Sequence, residues 1–430
     1  MPLSEVSRFV GKESKIGSIS SLHTWWARRP SVISRVTAFA SLADLPEQDE
    51  KRSLLTQQLT DLCTLHMPNS KEHIIEDALA ELASTWKGTA PKVLDPFAGG
   101  GSIPLELLRL GAETFCNDIN PVAAFIQKAA LEWPIRFRTG TSGLNSEKST
   151  ERNPRNSSKG NLLSDLVREF ATVIESRVRT RIGQYYDESV SPGSSAVAYF
   201  WTKIFPCPNS ECGSEIPLLR HFYLASRGLR RIFLYPSFEG KKVVFELRNG
   251  DMDEFDPGIG TVRLGRIRCL NCDQVAKSDV IRKLALRSGL IERLVAVGAT
   301  SQEIKGRQYR LPTSEDIFRM QEAGKAYESL KKSWRGELSP IPDEFVRTPQ
   351  NKPLESEKDP FFVHLQIVNY GVKSWGDLFN PRQKLVVSTF LQALHEVEPE
   401  IRAKCSRLEV DSAEELFRIV IGYLGIILDR

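Results

Sequence analysis

Residues 93–106 read VLDPFAGGGSIPLE. An apolar run of strand character leads into three consecutive glycines, and an apolar run of helix character follows. Glycine at such a place lets backbone lie against something that a side chain would push away. The spacing narrows what that something is. Gly99 and Gly101 match the first two glycines of a dinucleotide fingerprint, but Pro104 stands where the third belongs, the glycine that permits close helix–strand packing. No Gly-Lys-Ser/Thr follows, so the lysine of a phosphate-binding P-loop is absent. Pro104 suits the first turn of a following helix, where a missing N–H costs little.

Outward from the glycines, Lys92–Asp95 reads as a strand, Ile103–Leu110 as a helix ended by Gly111, Glu113–Asn117 as a second strand and Pro121–Leu131 as a second helix. This order opens a parallel α/β sheet. Asp118 falls just past the second strand, 23 positions after Asp95. An acid there can accept both hydroxyls of a ribose. Asn120 and Pro121 start the next helix, and this turn can flank a base.

Read together, Asp95-Pro96-Phe97-Ala98-Gly99-Gly100-Gly101-Ser102 resembles motif I of the S-adenosylmethionine-dependent methyltransferases. On that reading Gly99–Gly101 lie against the methionine and ribose, Asp95 accepts from the ammonium group and Asp118 holds the ribose. The competing readings are a nicotinamide-dependent oxidoreductase and a plain glycine turn with a capping Asp-x-Asn-Pro.

Four of seven cysteines are clustered. Cys207 and Cys212 enclose four residues, Cys269 and Cys272 enclose two, and 56 residues separate the pairs. Two such knuckles offer four thiolates to one tetrahedral Zn²⁺, the pattern of a zinc ribbon. The spacer calls for at least a β-hairpin, which residues 229–248 can supply. Arg220, Arg227, Arg230, Arg231, Lys241 and Lys242 lie inside this stretch, nearly balanced by acids. Pro206-Cys207 also matches the nucleophile dipeptide of cytosine-C5 methyltransferases, but a thiolate spent on zinc is a poor nucleophile. Cys63, Cys116 and Cys405 read as ordinary small core residues.

The bulk figures set outer limits. Fifty-eight basic and 54 acidic residues leave a net charge of +4, compatible with a polyanionic partner without requiring one. Met1–Gly17 lacks the apolar core of a signal peptide, and no run reaches the roughly 18 apolar residues of a spanning helix. An odd number of cysteines argues against a secreted disulfide scaffold. A soluble, cytoplasmic protein is expected. The sequence further divides into an N-terminal helical segment with the first half of the α/β core (1–137), a polar linker or insertion (138–160), a helical connector (161–200), the zinc ribbon (201–285) and a mixed, mainly helical region (286–430), in which Thr313 caps a helix over 314–334.

Residues 22–30, LHTWWARRP, set Trp25 and Trp26 beside Arg28 and Arg29, a combination suited to base stacking and phosphate contact. This segment is followed in order by VLDPFAGGGSIPLELLRLGAE, NDINPVA, PCPNSECGSEIPLLR and YGVKSWGDLFNPRQ. In this order the chain resembles the large adenine-specific DNA methylases that contain an internal zinc ribbon. The resemblance implies a Rossmann-like methyltransferase core with an inserted ribbon, S-adenosylmethionine and Zn²⁺ as cofactors, DNA adenine N6 as acceptor, and a restriction or phage-defence setting.

One element of that family is missing. Amino-methyltransferases present a flipped base with an Asp/Asn-Pro-Pro-aromatic loop, and no Pro-Pro occurs in these 430 residues. Asp359-Pro360-Phe361 lacks the second proline. AEELFRIVIGYLGIILDR at 413–430 reads as a helix apolar on most faces, built to be buried. The expectation is therefore a donor-binding half whose partner chain, or missing C-terminal half, carries the catalytic loop and covers this helix. A non-catalytic zinc-ribbon DNA-binding subunit and an RNA or small-molecule methyltransferase remain the alternatives.

Overall fold

The computed structural model describes residues 3–10, 22–26, 29–65, 73–137, 161–186, 194–226, 231–250, 254–277, 280, 283–285, 291–301, 306–336, 338–346, 372–408, 410 and 412–429. The polar stretch 138–160, Arg28 and Asp359-Pro360-Phe361 lie outside them. Helices alternate with four small sheets. The chain divides into two compact units, residues 1–174 with 394–430, and residues 175–393.

In the first unit, helices α1 (Leu3–Phe9), α2 (Ser31–Leu42), α3 (Asp49–Thr64) and α4 (Ile74–Thr85) precede strand β1 (Lys92–Asp95). Helix α5 (Ser102–Arg109), strand β2 (Glu113–Cys116) and helix α6 (Pro121–Gln127) follow. β1 and β2 pair in parallel, from Lys92 opposite Glu113 to Asp95 opposite Cys116. The parallel sheet expected from the sequence is thus a single β–α–β unit of two strands among the described residues. Period-2 alternation turns Val93 onto a core of Val32, Val36, Phe39, Leu62 and Leu107. The opposite face carries Leu94 and Phe115, 66% and 50% exposed, although parallel sheets are normally covered on both faces.

The four-helix preamble is tied to the glycine loop by a buried charge. Arg35 of α2 donates from Nε to Glu106 Oε2 at 2.8 Å and from Nη1 to the Leu62 carbonyl at 3.0 Å. Arg109 donates to the other oxygen of Glu106 at 2.7 Å. Arg35 and Glu106 are 1% and 0% exposed. Burial of either charge alone would cost several kcal/mol, so each holds the other in place.

The apolar C-terminal helix finds its cover within this chain, which corrects the expectation that the cover lies elsewhere. Helix Ala413–Asp429 buries Leu416, Phe417, Ile419, Val420 and Leu424. Gly422 lets Trp133 approach: a Cβ there would lie 3.0 Å from its ring and 3.2 Å from Phe125. The Tyr423 hydroxyl donates to the Ala129 carbonyl, and Arg136 pairs with Glu415. The sequence signal was sound about burial and silent about the surface, which lies nearly 300 residues upstream.

The second unit is rich in strands. β3 (Ser194–Pro206) pairs antiparallel with β4 (Glu215–Pro217) and, along most of its length, with β11 (Ile291–Ser301), which also pairs β12 (Gln308–Arg310). β5 (Tyr223–Ala225), β6 (Ile232–Glu239) and β7 (Lys242–Asn249) form a meander, and β8 (Val262–Arg263), β9 (Arg266–Arg268) and β10 (Val275–Lys277) a smaller one. Two boundaries shift from the sequence reading. Residues 194–200 belong to a strand, not to a helical connector, and the cysteine-bearing segment does not stop at 285 because β3 needs β11 as its neighbour. Helix Ser314–Ser333 starts where expected, with Thr313 and Asp316 forming a reciprocal capping box. Among the described residues, no helix is long and apolar enough to cross a membrane.

Arg35→Ala leaves Glu106 buried with only the half-exposed Arg109 to answer it. Denaturant unfolding should show a loss of about 3–5 kcal/mol, whereas Arg52→Ala, removing an exposed pair with Asp49, should change stability by under about 1 kcal/mol.

Candidate functional site

Two constellations carry chemistry, one in each unit. The first is the turn after β1. Gly99 and Gly101 have φ of 52° and 81°, left-handed values that glycine adopts without penalty. Gly101 is the N-cap of α5, and Pro104 lies in its first turn, as the sequence suggests. The loop is braced from β2's far end. Asp118 accepts from Gly99 N through Oδ2 and from Asn120 N through Oδ1, both at 2.9 Å. Asn120 in turn caps α6, accepting from Val122 N, with Pro121 at the first helical position. The capping role of Asp-x-Asn-Pro is therefore real, and each oxygen of Asp118 retains a lone pair.

A cleft of about 290 Å³ opens at this loop, lined by Asp95, Phe97, Gly99 and Asp118 together with Trp25 and Arg29. Asp95 Oδ1 accepts from Phe97 N at 3.2 Å, but Oδ2 is buried with no hydrogen-bond partner. Of the residues singled out in the sequence, Asp95, Phe97, Gly99 and Asp118 meet here. Pro96, Gly101, Asn120 and Pro121 shape the turns and do not line the cleft. Trp25 and Arg29, which the sequence suits to base stacking and phosphate contact, come to the same place. Trp25 rests on the glycines: a Cβ on Gly99 would lie 2.8 Å from its Nε1, and one on Gly100 3.1 Å from its Cβ. Trp26 stacks on Trp25 with centroids 4.6 Å apart.

One contributor escaped the sequence reading. Buried Gln127 donates from Nε2 to the Gly99 carbonyl at 2.8 Å, and a turn of π-helix begins at the next residue, Lys128–Glu132. Single π-turns of this kind are rare and occur frequently at functional sites. The available signal was one polar residue inside the apolar run PVAAFIQKAALEW. Ile119, beside Asp118, is almost wholly exposed.

The second constellation is the cysteine cluster. The sulfur atoms of Cys207, Cys212, Cys269 and Cys272 all lie within 4.8 Å of one another. Cys207–Cys272 and Cys212–Cys269 are 3.7 and 3.9 Å apart. A tetrahedral ion with Zn–S bonds of about 2.3 Å separates its sulfurs by about 3.8 Å, so these four residues can hold a metal, and the spacing is compatible with zinc. The two knuckles share a design. Gly213 and Asp273, each just after a second cysteine, have φ of 57° and 58°. Cys207 N donates to Ser214 O at 2.8 Å, and Cys269 N to Gln274 O at 2.9 Å. Asn271 Nδ2 bridges Ser214 Oγ at 2.8 Å and Cys212 Sγ at 3.8 Å.

The thiols are unequal. Burial, reinforced by neighbouring thiols, pushes Cys207 up to about 12, and burial also raises Cys269. Hydrogen bonding with Ser214 lowers Cys212 to about 6. Cys63 and Cys405 are buried apart from this cluster, as expected of core residues.

The motif YGVKSWGDLFNPRQ is largely structural. Ser374 and Asp377 form a capping box. The Arg382 guanidinium lies 4.6 and 4.3 Å from the ring centres of Tyr186 and Tyr199 and donates to the Tyr185 carbonyl at 2.6 Å. Its arginine is spent on an aromatic clamp.

Residues 1–64 match the model of a family described as a protein of unknown function, DUF1156. No curated protein and no solved structure matches the chain. The matched stretch contains Trp25 and α1–α3 and ends before the glycine loop.

Metal binding needs thiolates. At pH 7.5 the low Cys212 thiol is already ionised, while Cys207 and Cys269 are protonated in the metal-free fold. Calorimetry in buffers of different ionisation enthalpy should show protons released on zinc binding, and affinity should fall steadily as pH drops below 7.5, more steeply below about 6, where Cys212 is protonated as well. Cys269→Ser should abolish stoichiometric zinc; unchanged metal content would remove the site.

Proposed function

We propose that this chain is the methyl-donor-binding part of a DNA adenine-N6 methyltransferase with a Rossmann-like core. It binds S-adenosylmethionine at the glycine loop and Zn²⁺ on Cys207, Cys212, Cys269 and Cys272. It acts with a partner chain, or a further segment, that presents the base.

One observation carries the donor reading: Asp95 lines the glycine-loop cleft, and its Oδ2 is buried without a hydrogen-bond partner. An unmet buried acceptor costs about 1–3 kcal/mol, and a ligand ammonium group would answer it. The rest of the cleft suits the same ligand. Gly99 and Gly100 offer backbone free of Cβ atoms, and Asp118 keeps acceptor capacity for hydroxyls after bracing Gly99 and Asn120. Among the described residues that line the cleft, Arg29 is the one cation, with no cluster of lysines or arginines to meet a phosphate. Bound there, the donor supplies an electrophilic methyl group. This chain's residues would orient it, with Phe97 and Trp25 as walls that exclude water. Trp25 already lies on Gly99 and Gly100, so ligand entry has to move it or pass beside it.

The acceptor is inferred from the family resemblance. Methylation of an exocyclic amine requires an acceptor for its protons and an aromatic surface for the flipped base, and no Pro-Pro loop of that kind occurs in the 430 residues. That part is assigned to the partner. The half-exposed sheet face of Leu94 and Phe115 is consistent with further structure being added beside β1 and β2.

Calorimetric titration should detect S-adenosylmethionine binding to the wild-type chain. Asp95→Ala should weaken it at least tenfold, about 1.4 kcal/mol, and Gly99→Ala should weaken it more, because its Cβ meets Trp25. Absence of binding, or preference for a nicotinamide dinucleotide, overturns the donor reading. Efficient adenine methylation by this chain alone overturns the division of labour.

A further inference from the structure

The hairpin leading into the second cysteine knuckle carries an arrangement that stability alone does not explain. In the sheet of β8, β9 and β10, Arg263 lies opposite Arg266, and Arg266 lies opposite Lys277. The three form one cross-strand row. Buried Ile267 and Ala276 occupy the other face, so the row looks outward and all three members are exposed. Like charges directly opposite one another destabilise a sheet. The neighbouring row is relieved, since Arg268 pairs with Asp273 at 2.7 Å. Among the described residues, Arg263, Arg266 and Lys277 have no acidic partner.

The turn that joins β8 to β9 is odd in the same way. Leu264 and Gly265 have φ of 48° and 72°, the two left-handed positions of a tight hairpin turn that favours Asn-Gly. Leucine pays about 1–2 kcal/mol for that conformation, and its side chain is 93% exposed. The hairpin thus holds a strained apolar tip beside a row of unneutralised cations, and Cys269 follows its last strand directly.

We propose that the β8–β9 hairpin is a DNA-duplex contact, in which Arg263, Arg266 and Lys277 meet backbone phosphates and Leu264 enters a groove as a wedge. Strands lie about 4.8 Å apart, so the row spans about 10 Å. The β8–β9 hairpin is itself a two-stranded ribbon, the kind of element a duplex groove admits, and Lys277 on β10 flanks it. Apolar side chains at the tips of such elements part base steps at the cost of unstacking. Charge complementarity alone would fit any polyanion; the wedge favours stacked bases over an acidic protein or a lipid surface. The inference stands on the charge row and the turn, and does not rest on the methyl-donor reading.

The test uses the full, zinc-loaded chain without methyl donor, with a short fluorescein-labelled DNA duplex followed by anisotropy over a range of salt. The double variant Arg263→Ala/Arg266→Ala should weaken binding at least tenfold and lower the log–log salt slope by about two, close to one per lost phosphate contact. Leu264→Asn should weaken binding several-fold at an unchanged slope. Both should retain zinc and melt no earlier than the wild type, because they relieve repulsion and turn strain. Wild-type affinity and slope in the double variant overturn the proposal. So does a wild-type chain that prefers polyglutamate or anionic phosphatidylserine vesicles to the duplex.

Discussion

The interaction on which the first unit depends is the buried pair of Arg35 and Glu106. It joins α2, in a stretch dominated by helices, to α5, the helix that begins on the last glycine of the loop. A guanidinium with no exposed surface cannot exist there without its carboxylate. The carboxylate in turn fixes the rotation of α5 about its axis, and with it the direction in which the Gly99–Gly101 turn leaves the helix. Asp118 and Gln127 then hold that turn from the other side, one at the amide of Gly99 and one at its carbonyl. A loop held through both backbone groups of one glycine is a pre-organised surface, and its organisation is in place before any ligand arrives.

The second unit solves a different problem. Its smallest sheet contains strands of two and three residues, too short to persist on their own in water. The four cysteines fall at the ends of these strands and of β3 and β4. A tetrahedral ion would therefore reinforce the small apolar cluster of Phe205, Ile216 and Ile267, in the manner of small metal-dependent modules. Glu215 is a further link, accepting from Arg293 in a bidentate pair at 2.6 and 2.7 Å while its Oε2 also takes the amide of Val243. Through it β4, β7 and β11 share one carboxylate, and the knuckle is connected to the longer sheets.

Much of this was legible in the sequence because the signals were local. The strand–glycine–helix order around Asp95, the Thr313 cap and the two cysteine pairs each depend on residues within a few positions of one another. The division of the chain was not legible, because it depends on pairings across long separations. β3 finds β11 some ninety residues on, and the helix at 413–429 reads as buried without naming Trp133 as its cover. Trp25 shows a third limit. Its setting beside Trp26 and the arginines suited base stacking and phosphate contact, and no local pattern records that the missing Cβ atoms of Gly99 and Gly100 make room for its indole. Gln127 escaped because one amide in an apolar helix is indistinguishable from a surface residue until the fold closes around it.

The first unit is closed by residues from both ends of the chain, and this bears on its synthesis. Trp133 and Phe125 are translated long before Gly422 and the helix that covers them. At about 5–20 residues per second, the interval is roughly 15–60 s. The intervening residues 175–393 can complete their own contacts during that time. Until then Trp133 and Phe125 wait without the helix that covers them.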